Sequence, residues 1–373
     1  ETPGDFGEFA TPPLLSDISD CPVSLVSRME WVGTFESNSF GNDAAENLAI
    51  DPVTGRYVVI ASAEKNVLQY VSLDEPTNPT ILAEIPVIQN LDLVNDAGFK
   101  GTSVQSVVAT KGVVCAAVVG ETGADPGRVI IYDGATFGPL ASIVTGIKPE
   151  GMSVSADGAF VATANEGEVV YGSNGQVLID PPGSVTVIQL AGEGSAIEVV
   201  DSYTIGFESL SAQDALNAGL RLVEPSPNDP GLDLEPEATA FTPDGKYLVV
   251  NFQDNNGLAV LDLEKQEWVS FAGYGTKVMT MDASDRCDDD CTSEDVDIKD
   301  FTSIGVTIFG LYQPDAIDIG TLSDGSYYVV TANEGDARTL PGDGDTEDED
   351  VRLEDVGTTC PNNDELIDET VLG

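Results

Sequence analysis

The sequence predicts an all-β chain folded as a β-propeller, and three observations carry that expectation. One module recurs five times: a strand of apolar and β-branched residues, a tight turn holding glycine, and a second strand. The copies open on an acid or its amide and close on a polar tip, so each reads as a hairpin with a charged end. The turn glycines, Gly55, Gly112, Gly158, Gly245 and Gly325, fall roughly 40 to 90 residues apart. That irregular period suits a ring of four-stranded antiparallel blades whose connecting loops carry insertions. The competing arrangement is a β-sandwich with coincidental turns.

In chain order, residues 1–20 are rich in proline, glycine and acids and read as a surface arm, with the propeller domain expected over 21–373. Residues 28–36, RMEWVGTFE, read as a first strand. The first two modules are AENLAIDPVTGRYVVIASAEKN, opened by Glu46, and TSVQSVVATKGVVCAAVVGET, with Gln105 in the acid's place. The third, KPEGMSVSADGAFVATANEGE, opens on Pro149-Glu150 and turns at Asp157-Gly158. The fourth opens on Pro236-Glu237 and turns at Asp244-Gly245; the fifth opens on Pro314-Asp315 and turns at Asp324-Gly325. Asp-Gly is a pair suited to positive φ angles. Further strands are expected at 128–133 and 183–188, and one short helix at 211–219, capped by Ser211 and stopped by Gly219. Two long acidic loops follow, Asp282–Asp300 and Asp343–Asp355.

Composition narrows the functions. The chain carries 65 acids against 15 bases, a net charge of −50. Nucleic acid is excluded as a partner, because phosphate binding needs the opposite sign. Such self-repulsion calls for screening, either by a salty medium or by bound divalent cations. Histidine is absent, which removes the usual zinc ligand and general base and with them any zinc–histidine site. Carboxylates, Asn and carbonyl oxygens remain, the hard ligands calcium prefers. Asp343, Asp345 and Glu347 occupy positions one, three and five of an EF-hand-like register, but Asp348 stands where its glycine is required. A looser calcium loop and a merely solvated one are both open. Cys287 and Cys291 bracket three aspartates and are expected to pair; Cys21 and Cys360 are a second candidate pair; Cys115, in an apolar strand, reads as a buried free thiol. No run of about 18 apolar residues is present to span a membrane. The start at Glu1 is consistent with an exported protein whose leader has been removed.

The stretch Tyr312-Gln313-Pro314-Asp315-Ala316, followed by Ala332-Asn333-Glu334-Gly335-Asp336-Ala337-Arg338, resembles the hallmark of the choice-of-anchor I domain. Further matches are Lys148-Pro149-Glu150-Gly151, Ala164 to Glu168, Leu234 to Glu237 and Asp282 to Asp285. That family includes cell-surface glycoproteins of biomineralising echinoderms and bacterial and algal proteins labelled alkaline phosphatase. The resemblance, from about Trp31 to Gly373, implies an extracellular, phytase-like propeller of seven blades. With five modules visible, closure is expected from further blades of the same precursor or from neighbouring subunits. Two functions follow. One is a secreted calcium-binding scaffold with cell-surface, matrix or mineral partners. The other is a calcium-dependent phosphoesterase. The metal-ligating candidates are Glu150, Glu166, Glu237, Asp315, Glu334 and Asp336, with Asp285, Asp343, Asp345 and Glu347 in the loops. If the protein is an enzyme, Lys148, Arg338 and Arg352 are the candidates to neutralise a phosphate. The bland alternative for the acids after proline is that they cap backbone amides of the next blade.

Overall fold

A computed structural model describes residues 31–37, 45, 47–279 and 308–335, apart from residues 54, 64, 174 and 224. Four successive four-stranded antiparallel sheets make up most of it. The first runs β1 (Asn47–Ile50), β2 (Tyr57–Ser62), β3 (Val67–Ser72), β4 (Thr80–Pro86), and the second β5 (Gly101–Thr110), β6 (Val113–Gly120), β7 (Pro126–Asp133), β8 (Pro139–Ile147). The third comprises β9 (Pro149–Val154) and β10 (Phe160–Asn165), then, after an inserted ribbon of β11 (Val170–Tyr171) and β12 (Val177–Ile179), β13 (Ser184–Ala191) and β14 (Glu198–Gly206). Two short helices, α1 (Ala212–Asn217) and α2 (Pro230–Asp233), lead to the fourth sheet: β15 (Ala238–Phe241), β16 (Tyr247–Phe252), β17 (Gly257–Asp262), β18 (Glu267–Gly273). A ribbon of β19 (Lys277–Met279) and β20 (Ile308–Gly310) precedes the opening hairpin of a fifth blade, β21 (Pro314–Thr321) and β22 (Tyr327–Asn333).

Every recurring module is thus the first hairpin of a blade, which brings β1, β5, β9, β15 and β21 side by side as the inner strands. The turns form for a local reason. Asp157 accepts from Ser155 Oγ (2.7 Å) and Ala159 N (2.9 Å), and Asp244 accepts from Thr242 Oγ1 (2.8 Å) and Lys246 N (3.2 Å). The glycine that follows takes positive φ, +68° at both Gly158 and Gly245, where it has no Cβ to clash.

The middle blades are buried on both faces. In β6 and β7, Val114, Ala116, Val118, Ile130 and Tyr132 join the core shared with the first blade. Their neighbours Val113, Cys115, Val129 and Ile131 join the core shared with the third. Period-two alternation therefore feeds two cores, and the strands read as continuous apolar runs. Each fully buried valine or isoleucine among them contributes about 1.5–3 kcal/mol relative to leaving it in water. The outer described blades differ. On β1, Ala49 packs inward while Leu48 and Ile50 are exposed; on β22, Val329 packs on the fourth blade while Tyr328 and Val330 face out.

One expectation changes and another is extended. Residues 31–36, the described part of the stretch read as a first strand, form no strand. Gly33 instead lies against the Pro76 and Thr77 backbone, where a Cβ would fall 2.2 Å from the Pro76 carbonyl oxygen. The expected helix forms as α1, with Ser211 Oγ accepting from Asp214 N (3.1 Å) and Gly219 at φ +84° beyond its end. A second single turn, α2, accompanies it, started by Pro230 at N1 with Asp229 as cap. Cys115 is a free, fully buried thiol that burial pushes up to about 12. No described helix is long and apolar enough to cross a membrane.

Candidate metal centre at the channel mouth

In a hairpin, the start of the first strand and the end of the second lie at the same end. The acids that open β9, β15 and β21 therefore meet the tips that close β10 and β22. Glu150, Glu237 and Asp315 all line one cavity of about 630 Å³ between the inner strands, together with Asn47, Gln105 and Thr239. They occupy equivalent places, as the repeat predicts.

The third and fourth blades are pinned at this point by backbone. Gly151 N donates to the Glu237 carbonyl oxygen (3.0 Å), and a Cβ on Gly151 would sit 2.4 Å from that oxygen. Only glycine permits that approach without displacement. Glu237 N donates to Asn251 O (2.9 Å), and Glu166 N to Lys148 O (3.0 Å). The result is a cluster in which one carboxylate oxygen from each of Glu150, Glu166 and Glu237 lies within 4.8 Å of the other two.

Lys148 stands among them. Its Nζ is 2.5 Å from Glu166 Oε2, 2.7 Å from Glu168 Oε2 and 3.4 Å from Glu150 Oε1. Gln105 Nε2 donates to Glu150 Oε1 (3.3 Å) from the second blade. One cation cannot balance three crowded acids, and burial and mutual repulsion displace the group's members in different directions. Burial opposes the charge on Lys148, but Glu166, Glu150 and Glu168 outweigh it and hold the ammonium well above its ordinary value. Burial raises Glu150, yet Lys148 and hydrogen bonds from Glu237 and Gln105 bring it below the usual carboxylate range. Glu166 is driven well up by burial and by Glu150, and Glu237 by burial, Glu150 and Glu166. Asp315 is raised by burial, Glu334 and Glu150. Two carboxylates that share a site cannot both ionise freely, and Glu150 and Glu237 are shifted in opposite directions.

Of the other candidates, Glu334 accepts from Gln253 Nε2 (3.2 Å), joining the tips of the fourth and fifth blades. Asp285, Asp336, Asp343, Asp345, Glu347, Arg338, Arg352 and the cysteines 21, 287, 291 and 360 lie outside the described residues, as do the arm at 1–20 and Glu46. Sequence reasoning gave no role to Glu168 or Glu235. Glu235 is 5% exposed and contributes to the field on Glu166. Its signal is positional: Lys148, Glu235 and Gln313 each precede the proline of a module.

The family model of the choice-of-anchor I domain matches residues 46–373. The chain belongs to that family. A choice-of-anchor domain points to a protein of the cell surface or the extracellular space. No curated protein matches this domain. Solved structures similar to it include the β-propeller domain of Cps50 (Swd1) from Myceliophteria thermophila, at 14% identity and TM-score 0.36, covering 59% of this chain and 58% of that one. A functionally unknown protein from Desulfotomaculum acetoxidans matches at 15% and 0.39, covering 63% and 59%. Kuenenia stuttgartiensis hydrazine synthase matches at 13% and 0.32, covering 77% and 83%. The match spans less than two thirds of the first two chains.

Proposed function

We propose that this choice-of-anchor I domain is a secreted, calcium-binding propeller that serves as an extracellular scaffold, with adhesive, matrix or mineral-associated partners. The observation that carries this reading is the cluster of Glu150, Glu166 and Glu237 at the channel mouth. Its donor set fits a hard cation: carboxylates with Asp315 beside them and the Gln105 amide within reach. Calcium takes six to eight oxygen ligands and tolerates irregular geometry, as an assembly of several strands demands. Glu150 and Glu237 come from neighbouring blades, so an ion held by both would lock that seam, and the net charge of −50 supplies the field that attracts it.

A calcium-dependent phosphoesterase is the other reading from the sequence, and the cluster does not favour it. Lys148, its candidate phosphate ligand within the described residues, directs its ammonium at three carboxylates. The test is a thermal melt in calcium and in chelator, with wild type and a Glu150→Gln/Glu237→Gln variant. A ligand that binds only the folded state at a hundredfold excess over Kd stabilises by about 2.7 kcal/mol. Calcium should raise the wild-type melting temperature by several degrees and leave the variant's unchanged. An identical wild-type melt in calcium and chelator at moderate salt removes calcium and leaves a salt-adapted surface.

A further inference from the structure

Lys148 lines one of two neighbouring cavities and forms an ion pair with Glu150, which lines the other. The larger is the 630 Å³ channel lined by Glu150, Glu237 and Asp315; the smaller is a cavity of about 200 Å³ lined by Lys148 itself, Glu168, Ser103 and Val170, with Gln105 common to both walls. Its ammonium bridges the two populations of acids. Glu166 and Glu150 are largely buried, Glu150 lining the larger cavity, whereas the Glu168 side chain is 54% exposed and lines the smaller one. From this geometry we infer that Lys148 is a built-in competitor for the metal site. It fills the carboxylate cluster as a tethered cation when no metal is bound, and a divalent cation displaces it into the side cavity, where Glu168 receives it.

This inference rests on the calcium reading of the cluster. It adds a cost that reading alone does not contain: the incoming ion must expel a positive charge that already holds Glu166 at 2.5 Å. Two like charges cannot share so small a space, since their repulsion a few ångströms apart is large even at the effective dielectric of a protein surface. Glu168 makes the exchange possible, because it already holds the ammonium at 2.7 Å before the ion enters. The lysine needs only to let go of Glu166 and Glu150.

Two measurements test it. In the first, calcium binding is titrated calorimetrically in wild type, Lys148→Met and Glu150→Gln. Lys148→Met should bind at least about tenfold more tightly, equivalent to about 1.4 kcal/mol, and Glu150→Gln should lose the site. The second uses unaltered protein and does not depend on the variant folding: amine acylation of each lysine, read by mass spectrometry with and without calcium. Lys148 should be modified faster once calcium is bound, while Lys246 and Lys265 keep their rates. Binding to Lys148→Met but not to wild type supports the competitor role. Wild-type binding that requires Glu150, with no gain in Lys148→Met and no change in Lys148 labelling, overturns the role of Lys148 and leaves the calcium site standing. Absence of binding in all three proteins overturns both.

Discussion

Two largely shielded ionic groups on adjacent blades make opposite statements about charge. On the second blade, Arg128 Nε meets Asp96 Oδ2 at 2.8 Å, Ser142 Oγ donates to the same oxygen at 2.6 Å, and the guanidinium stacks 4.6 Å from the Phe99 ring centre. There is one base to one acid. Although burial works against it, Asp96 is held below its ordinary value by the hydrogen bonds from Arg128 and Ser142 and by the charge of Arg128. At the channel mouth one lysine faces three carboxylates, and Glu166 and Glu237 move the other way. What distinguishes the two groups is stoichiometry: the first ends complete, the second ends short of positive charge. A complete pair is architecture, and a group left short of charge has something to gain from a ligand.

The largest test removes each base in turn, in chelator near neutral pH. Breaking a buried pair strands its partner and costs about 3–5 kcal/mol, so Lys148→Met should fall in that range by denaturant unfolding, and added calcium should restore most of it. Arg128→Met should cost less, about 1–3 kcal/mol, because Asp96 keeps Ser142, and calcium should restore none of it. Equal rescue of both would erase the contrast.

A smaller effect is expected from pH, with opposite signs in the two groups. Glu166 and Glu237 stay protonated when folded above the ordinary value of 4.5 at which an unfolded chain releases the proton. Their contribution to stability is therefore complete below about pH 4.5 and is lost as pH rises towards the folded values, with about 1.36 kcal/mol for each pH unit that separates the two states. Asp96 is depressed below its ordinary 3.8, so its contribution is present above that value and disappears as pH falls below it. Measured from pH 3 to 8 without metal, Glu237→Gln should gain on wild type as pH rises, and Asp96→Asn should converge on wild type only in acid. Parallel curves would refute the assignment.

The smallest effect separates turns the sequence makes look alike. Gly158 and Gly245 share φ +68°, but a Cβ at 158 would lie 2.3 Å from Thr110 Oγ1 of the second blade, whereas one at 245 meets nothing within 4 Å. Gly245→Ala should cost about 1–2 kcal/mol for the left-handed backbone alone, and Gly158→Ala should exceed it. Thermal melts of the two variants decide whether the third hairpin is pressed more tightly on its neighbour.

The blades are legible in the sequence because a hairpin declares itself locally: Asp157-Gly158 and Asp244-Gly245 fix turns through bonds spanning two residues. For the same reason the repeat places Glu150, Glu237 and Asp315 at one end of the channel. The surroundings of Lys148 are not legible in this way. Its partners Glu166 and Glu168 both come from the tip beyond the far strand of its own hairpin, and its approach depends on positive φ at a residue before proline. A residue's charge can be read from sequence, but not the number of opposite charges that reach it. The stretch before β1 fails similarly: Trp31 and Val32 have strand character yet find no ladder, Trp31 being 79% exposed.

The hydrogen bond from Gly151 to Glu237 places a backbone clasp at the foot of two crowded carboxyls, those of Glu150 and Glu237. In mechanical terms the seam between the third and fourth blades is a hinge held by a short bolt. An ion bridging the two carboxyls, as proposed, would be a second bolt across the same seam. Tension across these two blades and occupancy of the site would then be one variable: pulling the blades apart would weaken the hold on the ion, and an ion in place would stiffen the seam against the pull.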